Sequence, residues 1–181
     1  VYHGAKGREK ADFSKFEKSK YEDAYWFSDN TRVSDSYLTK WGEYVDSANI
    51  IPAFLNLRNV VTFDAKGNNW NSLNYDGKGL DNIEISDAYD IPLSKVNEGK
   101  AILDSRQIAY FSKQSGYDGT IIKNVIDAGD VKTISVDYKS NVYIAFSSTQ
   151  IKSAIGNTGA FSPVNADIRY AATLGVAEPT L

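Results

Sequence analysis

The stretch NVYIAFSSTQIKSA, residues 141–154, decides how the rest of the sequence is interpreted. Its first part, Val142 to Phe146, combines β-branched, aromatic and small apolar residues, a composition typical of a β-strand. Gln150 follows shortly after, and its side chain is placed either to contact a substrate or to cap the turn after the strand. Two further strand-like runs, residues 119–125 and 133–138, precede this stretch. The second half of the chain therefore predicts a group of neighbouring strands.

The first half mixes strand and helix signals. Val1 to His3 predicts a short strand stopped by Gly4, and Ala24 to Phe27 predicts a second one broken by residues 28–30. Asp29 or Asn30 then caps a helix. Its apolar residues fall at helical spacing and are expected to face the core: Val33, Tyr37, Leu38, Trp41, Tyr44 and Val45.

The middle of the chain predicts one strand, one loop and one helix. Alternating apolar residues between 50 and 63 indicate a strand, with Pro52 at an edge or a bulge. Residues 64–82 are rich in Asn, Gly and Asp, so they predict a loop. Its Trp70 and Tyr75 either contact a ligand or hold the loop on the domain. A helix is expected over residues 98–114, ended by Gly116. Strands with two helices predict an α+β domain with a mainly antiparallel sheet.

Composition excludes several classes of protein. With 181 residues the chain suits a single domain spanning residues 1–181, and its formal net charge of -3 makes a nucleic-acid partner unlikely. There is no cysteine, which excludes disulfides and thiolate nucleophiles, and a single histidine makes a metal site unexpected. No apolar run is long enough to span a membrane. Because methionine is absent even at position 1, we expect an excised or processed part of a longer chain.

The common nucleotide-binding and hydrolase motifs are also missing from the sequence. No phosphate loop and no G-x-G-x-x-G pattern opens a helix, so neither a P-loop nor a Rossmann fold is indicated. No nucleophile elbow accompanies the single histidine, His3, which argues against a serine hydrolase.

The order of short motifs resembles one family over most of the chain. Tyr2-His3-Gly4 comes first, and Tyr25-Trp26-Phe27-Ser28-Asp29 ends a second strand about twenty residues later. Further motifs follow in order: 53–59, 116–122, 142–146, 150–154, 157–161 and 167–169. This order resembles the ADP-ribosyltransferase-like domains of phage and mobile-element polyvalent proteins, in the branch of diphtheria toxin and the poly(ADP-ribose) polymerases. The resemblance implies an ADP-ribosyltransferase fold, with split, mainly antiparallel sheets around an NAD cleft and a few flanking helices.

The resemblance also implies roles for particular residues. His3 is expected to hydrogen-bond the adenine-side ribose, and the backbone of Gly4 to hold the nicotinamide amide, which a missing side chain favours. Trp26 stands where the family usually has a tyrosine that stacks on the nicotinamide ring. Ser28 is spaced to hydrogen-bond the carboxamide. NAD is thus expected as a substrate, without a metal.

The chain departs from the family at Val142, where the best-known members have a glutamate. Glutamate stabilises the positive charge that develops on the ribose, and valine has no group for this. Three alternatives fit: another acid takes the role, with Asp118 the first candidate; transfer proceeds slowly with help from the acceptor's own carboxylate; or the domain binds without catalysing. For Asp118 itself, Tyr-Asp-Gly before a strand is typical of a turn, and this structural role is the favoured one.

The function expected from this resemblance is mono-ADP-ribosylation of a protein acceptor by a phage-encoded or effector-like enzyme. The second hypothesis is a catalytically inactive module that binds a nucleotide or a protein partner. The resemblance places the protein in the bacterial cytoplasm or in a virion that injects it.

Overall fold

The fold is described from a computed structural model for residues 1–5, 16, 23–40, 43–46, 48–129, 136–155, 161–162 and 164–169. The strands are β1 (Tyr2–Ala5), β2 (Tyr25–Ser28), β3 (Thr39–Lys40), β4 (Glu43–Tyr44), β5 (Asn49–Leu55), β6 (Val60–Asp64), β7 (Leu73–Tyr75), β8 (Ala101–Leu103), β9 (Gly119–Ile126), β10 (Lys139–Ala145) and β11 (Ile151–Ser153). The helices are α1 (Thr31–Ser36), α2 (Asn82–Tyr89), α3 (Leu93–Asn97) and α4 (Ser105–Gln114), with single 3₁₀ turns at Val136–Tyr138 and Ser148–Gln150.

Seven strands form one sheet in the order β11-β5-β1-β2-β10-β9-β6. Every neighbouring pair is antiparallel except β6 and β9, which run parallel. Among the described residues, β1 shares four registered pairs with β5 but a single one, Tyr2 with Ser28, with β2. The sheet therefore opens between β1 and β2 into two halves, β11-β5-β1 and β2-β10-β9-β6. The predicted α+β fold with a split, mainly antiparallel sheet is confirmed.

Two apolar clusters lie against this sheet. The larger one includes Phe63, Tyr75, Phe111 and Ile144, together with the apolar face of α4. The smaller one is built around Phe16, Phe27 and Ile151. Successive side chains of a strand point to opposite faces of the sheet. Strand β2 therefore contributes Trp26 to the first cluster and Phe27 to the second, at the opening of the sheet.

The predicted helix after β2 is much shorter than its apolar pattern suggests. Asn30 caps α1 by accepting the Arg32 N–H at 3.0 Å, as predicted, but the helix ends at Ser36 and the chain continues into the β3–β4 hairpin. Leu38 is buried. Tyr44 is 64% exposed, and its hydroxyl donates a hydrogen bond to Asp35 and does not pack in the core. Trp41 lies outside the described residues. The pairing of β3 with β4 has prevailed here over the helical spacing of the apolar residues.

Residues 49–104 contain more regular structure than the sequence predicted. The single strand expected over 50–63 is two strands, β5 and β6, and Pro52 sits within β5 opposite Tyr2. The loop predicted for 64–82 contains β7, which pairs with β8 over 101–103, so the helix expected to start at residue 98 starts at Ser105. Helices α2 and α3 were missed, because their short turns carry no clear apolar stripe.

Smaller differences occur near the ends of the chain. Strand β1 continues through Gly4 to Ala5 and does not stop at the glycine. Of the strand expected over 133–138, residues 133–135 lie outside the described residues and 136–138 form a 3₁₀ turn. In the tail, Ile168 is buried in the smaller cluster, and the buried Lys152 ammonium donates to the carbonyls of Asn165 and Asp167 at 2.9 and 2.6 Å. Among the described helices, none combines the length and the apolar composition needed to cross a bilayer.

Candidate functional site

A cavity of about 630 Å³ lies at the opening of the sheet between β1 and β2. Its walls come from four parts of the chain: residues 2–4 of β1, residues 26–28 of β2 with Val142 of β10, residues 33, 34 and 37 of or next to α1, and a side formed by residues 70, 105–106 and 127–129. This volume lies within the range of pockets that bind small molecules and cofactors. The lining is mainly apolar and aromatic, with a few polar groups, as such pockets usually are.

Gly4 is required because α1 packs directly on β1. A Cβ atom at this position would lie 2.2 Å from the carbonyl oxygen of Ser34, which is too close for any side chain. The Ser34 hydroxyl donates to the carbonyl oxygen of Tyr2 at 3.0 Å, which fixes the helix over the strand. Gly4 therefore gives α1 the room to pack on β1, and the residue also lies in the cavity wall.

His3 lies across the gap between the two halves of the sheet. Its Nδ1 is 2.7 Å from the carbonyl oxygen of Trp26, so in the neutral ring Nδ1 carries the proton and Nε2 is the acceptor. The ring packs edge-on against Phe16 at 5.0 Å and against Phe27 at 5.4 Å. Burial lowers the pKa of His3 below its usual value, and the bond to the Trp26 carbonyl opposes this only in part. The imidazole is therefore held neutral and oriented at the border of the cavity.

Trp26 and Ser28 line the cavity from β2. The Trp26 indole N–H is buried, and no acceptor for it exists in the described part of the chain. A buried donor without a partner costs roughly 1–3 kcal/mol, so it marks a residue that is not optimised for stability alone. Ser28 is buried, and its hydroxyl accepts the Asn30 N–H at 3.0 Å, which helps to turn the chain into α1. The sequence analysis named both residues, and the fold places both at the cavity.

Tyr37 and Asp127 also line the cavity, and sequence reasoning missed both as site residues. The Tyr37 hydroxyl donates to Asp127 Oδ1 at 2.5 Å. Next to this contact, the Gly129 N–H donates to the Ser36 hydroxyl at 2.8 Å, so the segment after β9 is fastened to the end of α1. The spacing of Tyr37 predicts a core-facing residue of a helix. Asp127 directly follows a strand, which is a common position for a turn residue. Neither pattern distinguishes a site residue from a structural one.

Trp70 and Arg106 form the remaining wall. The Arg106 guanidinium lies 5.1 Å from the centre of the Trp70 ring and also pairs with Asp104 at 3.2 Å. The Trp70 backbone bridges Ile126 and Ser105 at 3.0 and 2.8 Å, which ties β9 to the start of α4. Trp70 thus packs on the core and lines the cavity, so both roles considered for it from the sequence apply. Tyr75 is fully buried and holds its segment on the domain.

Asp118 and Gln150 are not among the residues that line the cavity. Both Asp118 carboxylate oxygens accept backbone N–H groups, from Arg58 at 2.9 Å and Asn59 at 3.1 Å. The Gln150 carbonyl accepts the Phe146 and Ser147 N–H groups, and its amide donates to the carbonyl oxygens of Asp118 and Asn56. The turn and capping alternatives describe these two side chains, and the structure does not bring them to His3 and Trp26.

Val142 lies in the cavity wall opposite Ser28, at 3% exposure. Its neighbour Asn141 binds both carboxylate oxygens of Asp29, through the backbone N–H at 2.8 Å and the side-chain amide at 2.7 Å. At this point of the cavity β10 therefore offers an apolar surface. The described residues also hold no group of three or more His, Asp or Glu side chains that is suited to a metal ion.

A split, mainly antiparallel sheet with a cavity at its opening, bordered by a His-Gly pair, is the arrangement expected of an ADP-ribosyltransferase. The family described as "ADP-Ribosyltransferase in polyvalent proteins" matches residues 1–161, and the chain belongs to this family. A search of curated proteins and a search of solved structures each find no match. The family assignment thus rests on the sequence match, and the fold agrees with it.

Proposed function

We propose that this chain is an NAD-dependent mono-ADP-ribosyltransferase that modifies a protein, encoded by a phage or acting as an effector in bacteria. The observation that carries the proposal is the cavity itself, in which His3, Gly4, Trp26 and Ser28 meet although they come from two separate strands. They meet at the opening of the sheet between β1 and β2. The chain belongs to the ADP-ribosyltransferase family, in which such an opening is expected. A ligand site requires aromatic and polar groups gathered in one cavity, and these four residues are gathered in that way.

The cavity offers complementary groups to the nicotinamide half of NAD. Gly4, Ser28 and Ser34 all line the cavity, and their backbone and hydroxyl groups suit the carboxamide. Trp26 and Tyr37 supply aromatic faces for a flat ring, and aromatic stacking is worth about 0.5–1.5 kcal/mol beyond burial. Beyond this half, His3, neutral and with Nε2 as acceptor, suits a hydroxyl donor of the adenine-side ribose.

The negatively charged part of NAD fits the other wall. The only cation among the described lining residues is Arg106, which is stacked on Trp70. A guanidinium is well suited to phosphate oxygens, and its planar face also pairs with aromatic rings. The cavity thus combines aromatic faces, hydroxyl groups and one guanidinium, which are groups that a dinucleotide can use.

A second hypothesis is a catalytically inactive module that binds a nucleotide or a protein partner. The observation that favours it is Val142, which puts an apolar side chain where a charged one would stabilise the reacting ribose. Binding and catalysis are therefore measured separately.

The test incubates the domain with biotin-labelled NAD and a bacterial lysate, and detects labelled protein by blotting and mass spectrometry. A parallel calorimetric titration gives the NAD affinity. We expect a labelled band, and we expect His3→Ala to lose the label and bind NAD at least tenfold more weakly, because a lost hydrogen bond to a polar ligand costs about 1.5 kcal/mol.

The control is Tyr110→Ala, since Tyr110 is exposed on α4 and does not line the cavity. NAD binding without any label supports the second hypothesis. No NAD binding by the wild-type domain contradicts the transferase and leaves only a module that binds another nucleotide or a protein partner. Equal affinity in wild type and His3→Ala contradicts the assignment of the cavity.

A further inference from the structure

The proposed transfer needs a negative charge near the ribose. Breaking the bond between the ribose and nicotinamide builds positive charge on the sugar, and enzymes gain rate by placing an opposite charge where it develops. Val142 has no such charge. Among the described residues that line the cavity, one carboxylate is present, and it belongs to Asp127.

Asp127 is held rigidly at the end of β9. Its backbone N–H donates to the Tyr138 carbonyl at 3.1 Å, which fixes where the side chain starts. The residue is 8% exposed, and one carboxylate oxygen accepts the hydroxyl of Tyr37. A buried carboxylate that is fixed at both ends is pre-organised, which is the condition for electrostatic stabilisation of a transition state.

The other acids near the sheet are engaged away from the cavity. Both oxygens of Asp29 bind Asn141, both oxygens of Asp118 bind backbone N–H groups, and Asp137 pairs with Arg32 at 3.2 Å. None of these three residues lines the cavity. Asp127 differs from these three residues because it lines the cavity and its carboxylate accepts a hydrogen bond from Tyr37, which also lines the cavity.

We propose that Asp127 is the catalytic carboxylate of this enzyme and takes over the charge that Val142 does not provide. This inference rests on the function proposed above. In the step, the bond between the ribose anomeric carbon and the nicotinamide nitrogen breaks, and its electron pair leaves with nicotinamide. The acceptor forms the new bond to the same carbon, and its proton passes to Asp127 and then to water. The carboxylate balances the sugar's positive charge between the two events.

The experiment measures nicotinamide release from NAD in the presence of the lysate acceptor, at saturating NAD, for wild type and Asp127→Asn. Asparagine keeps the size of the side chain and an oxygen that can accept the Tyr37 hydroxyl, so the main change is the loss of the negative charge. We expect release to slow by about 100-fold or more. The dissociation constant for NAD, from calorimetry, should stay within about threefold, because the charge acts mainly in the transition state.

The matched control is Asp87→Asn, which removes the same charge from the exposed face of α2 and should release nicotinamide at the wild-type rate. If Asp127→Asn also keeps the wild-type rate, the role of Asp127 is overturned while the proposed transferase stands. If the wild type binds NAD but releases no nicotinamide, the transferase itself fails and the role of Asp127 fails with it.

A second variant covers the case in which Asp127→Asn does not fold. Asp127→Ser is smaller than the native side chain, so it fits the same space, and its thermal unfolding transition shows whether the domain is intact. A folded Asp127→Ser variant that binds NAD is expected to be at least as slow as Asp127→Asn. A folded variant with the wild-type rate overturns the proposal.

Discussion

The two ends of β9 each carry an aspartate, and the two residues are used in opposite ways. Asp118 precedes the strand, and its carboxylate is bound by the backbone N–H groups of Arg58 and Asn59. Asp127 follows the strand, and its carboxylate meets the phenol of Tyr37 in the cavity wall. One end closes a turn and the other end lies at the cavity. The difference shows that the position of an acid relative to a strand does not fix its surroundings: backbone N–H groups bind one carboxylate, and a cavity side chain binds the other.

The largest effect on stability is expected at the Asp118 end, from Gln150→Ala. Gln150 satisfies two backbone N–H groups and two carbonyl oxygens there. Removing it leaves these groups without partners, so the free energy of unfolding should fall by roughly 2–4 kcal/mol. Urea denaturation measures this change, and the NAD affinity of the folded variant should stay the same.

The control for this prediction is Gln114→Ala, since Gln114 is exposed at the end of α4. It should change the free energy of unfolding by less than about 0.5 kcal/mol. A loss of NAD binding in folded Gln150→Ala would mean that the two ends of β9 are not separate in function.

A smaller effect on stability is expected at the Asp127 end, from Tyr37→Phe. This change removes the hydroxyl that donates to Asp127 and keeps the aromatic ring in the cavity. The free energy of unfolding should fall by about 1 kcal/mol, the usual worth of one hydrogen bond. Tyr110→Phe, at an exposed site on α4, is the matched control. Unchanged stability in Tyr37→Phe would show that the hydroxyl does not tie α1 to the end of β9.

The smallest effect is a pH dependence that arises from His3, on the opposite wall of the cavity. Burial lowers the pKa of His3 in the folded chain, so below the usual value of 6.5 the unfolded chain binds a proton that the folded chain does not. The stability that the neutral His3 contributes is therefore fully present above pH 6.5. It is lost as the pH falls through the lower pKa of His3 in the folded chain. Chemical denaturation between pH 5 and 8 should show a shallower slope in His3→Gln than in wild type. Equal slopes would contradict a buried neutral imidazole.

The split sheet was predictable in outline because its strands are rich in β-branched and aromatic residues. Runs such as Tyr25-Trp26-Phe27 and residues 119–125 carry a strong strand signal, and the family resemblance supplied their order. The helix over 31–45 failed as a prediction since Tyr37 and Tyr44 have helical spacing but lie on either side of a turn. Spacing alone cannot tell a long helix from a short helix followed by a hairpin.

The candidate site was only partly visible in the sequence. His3, Gly4, Trp26 and Ser28 could be named because they lie close to strand ends that match a family pattern. Asp127 could not be separated from Asp118, since both flank the same strand in turn-like surroundings.

The sequence by itself determined the α+β class, the family and the strands that carry the His-Gly pair, because these depend on local composition and on the order of motifs. Only the tertiary structure decided which polar side chains meet in the cavity. That outcome depends on contacts such as Tyr37 with Asp127, which are 90 residues apart in the chain. No local pattern encodes such a pairing, since it is set by how α1 and the end of β9 pack around the opening of the sheet.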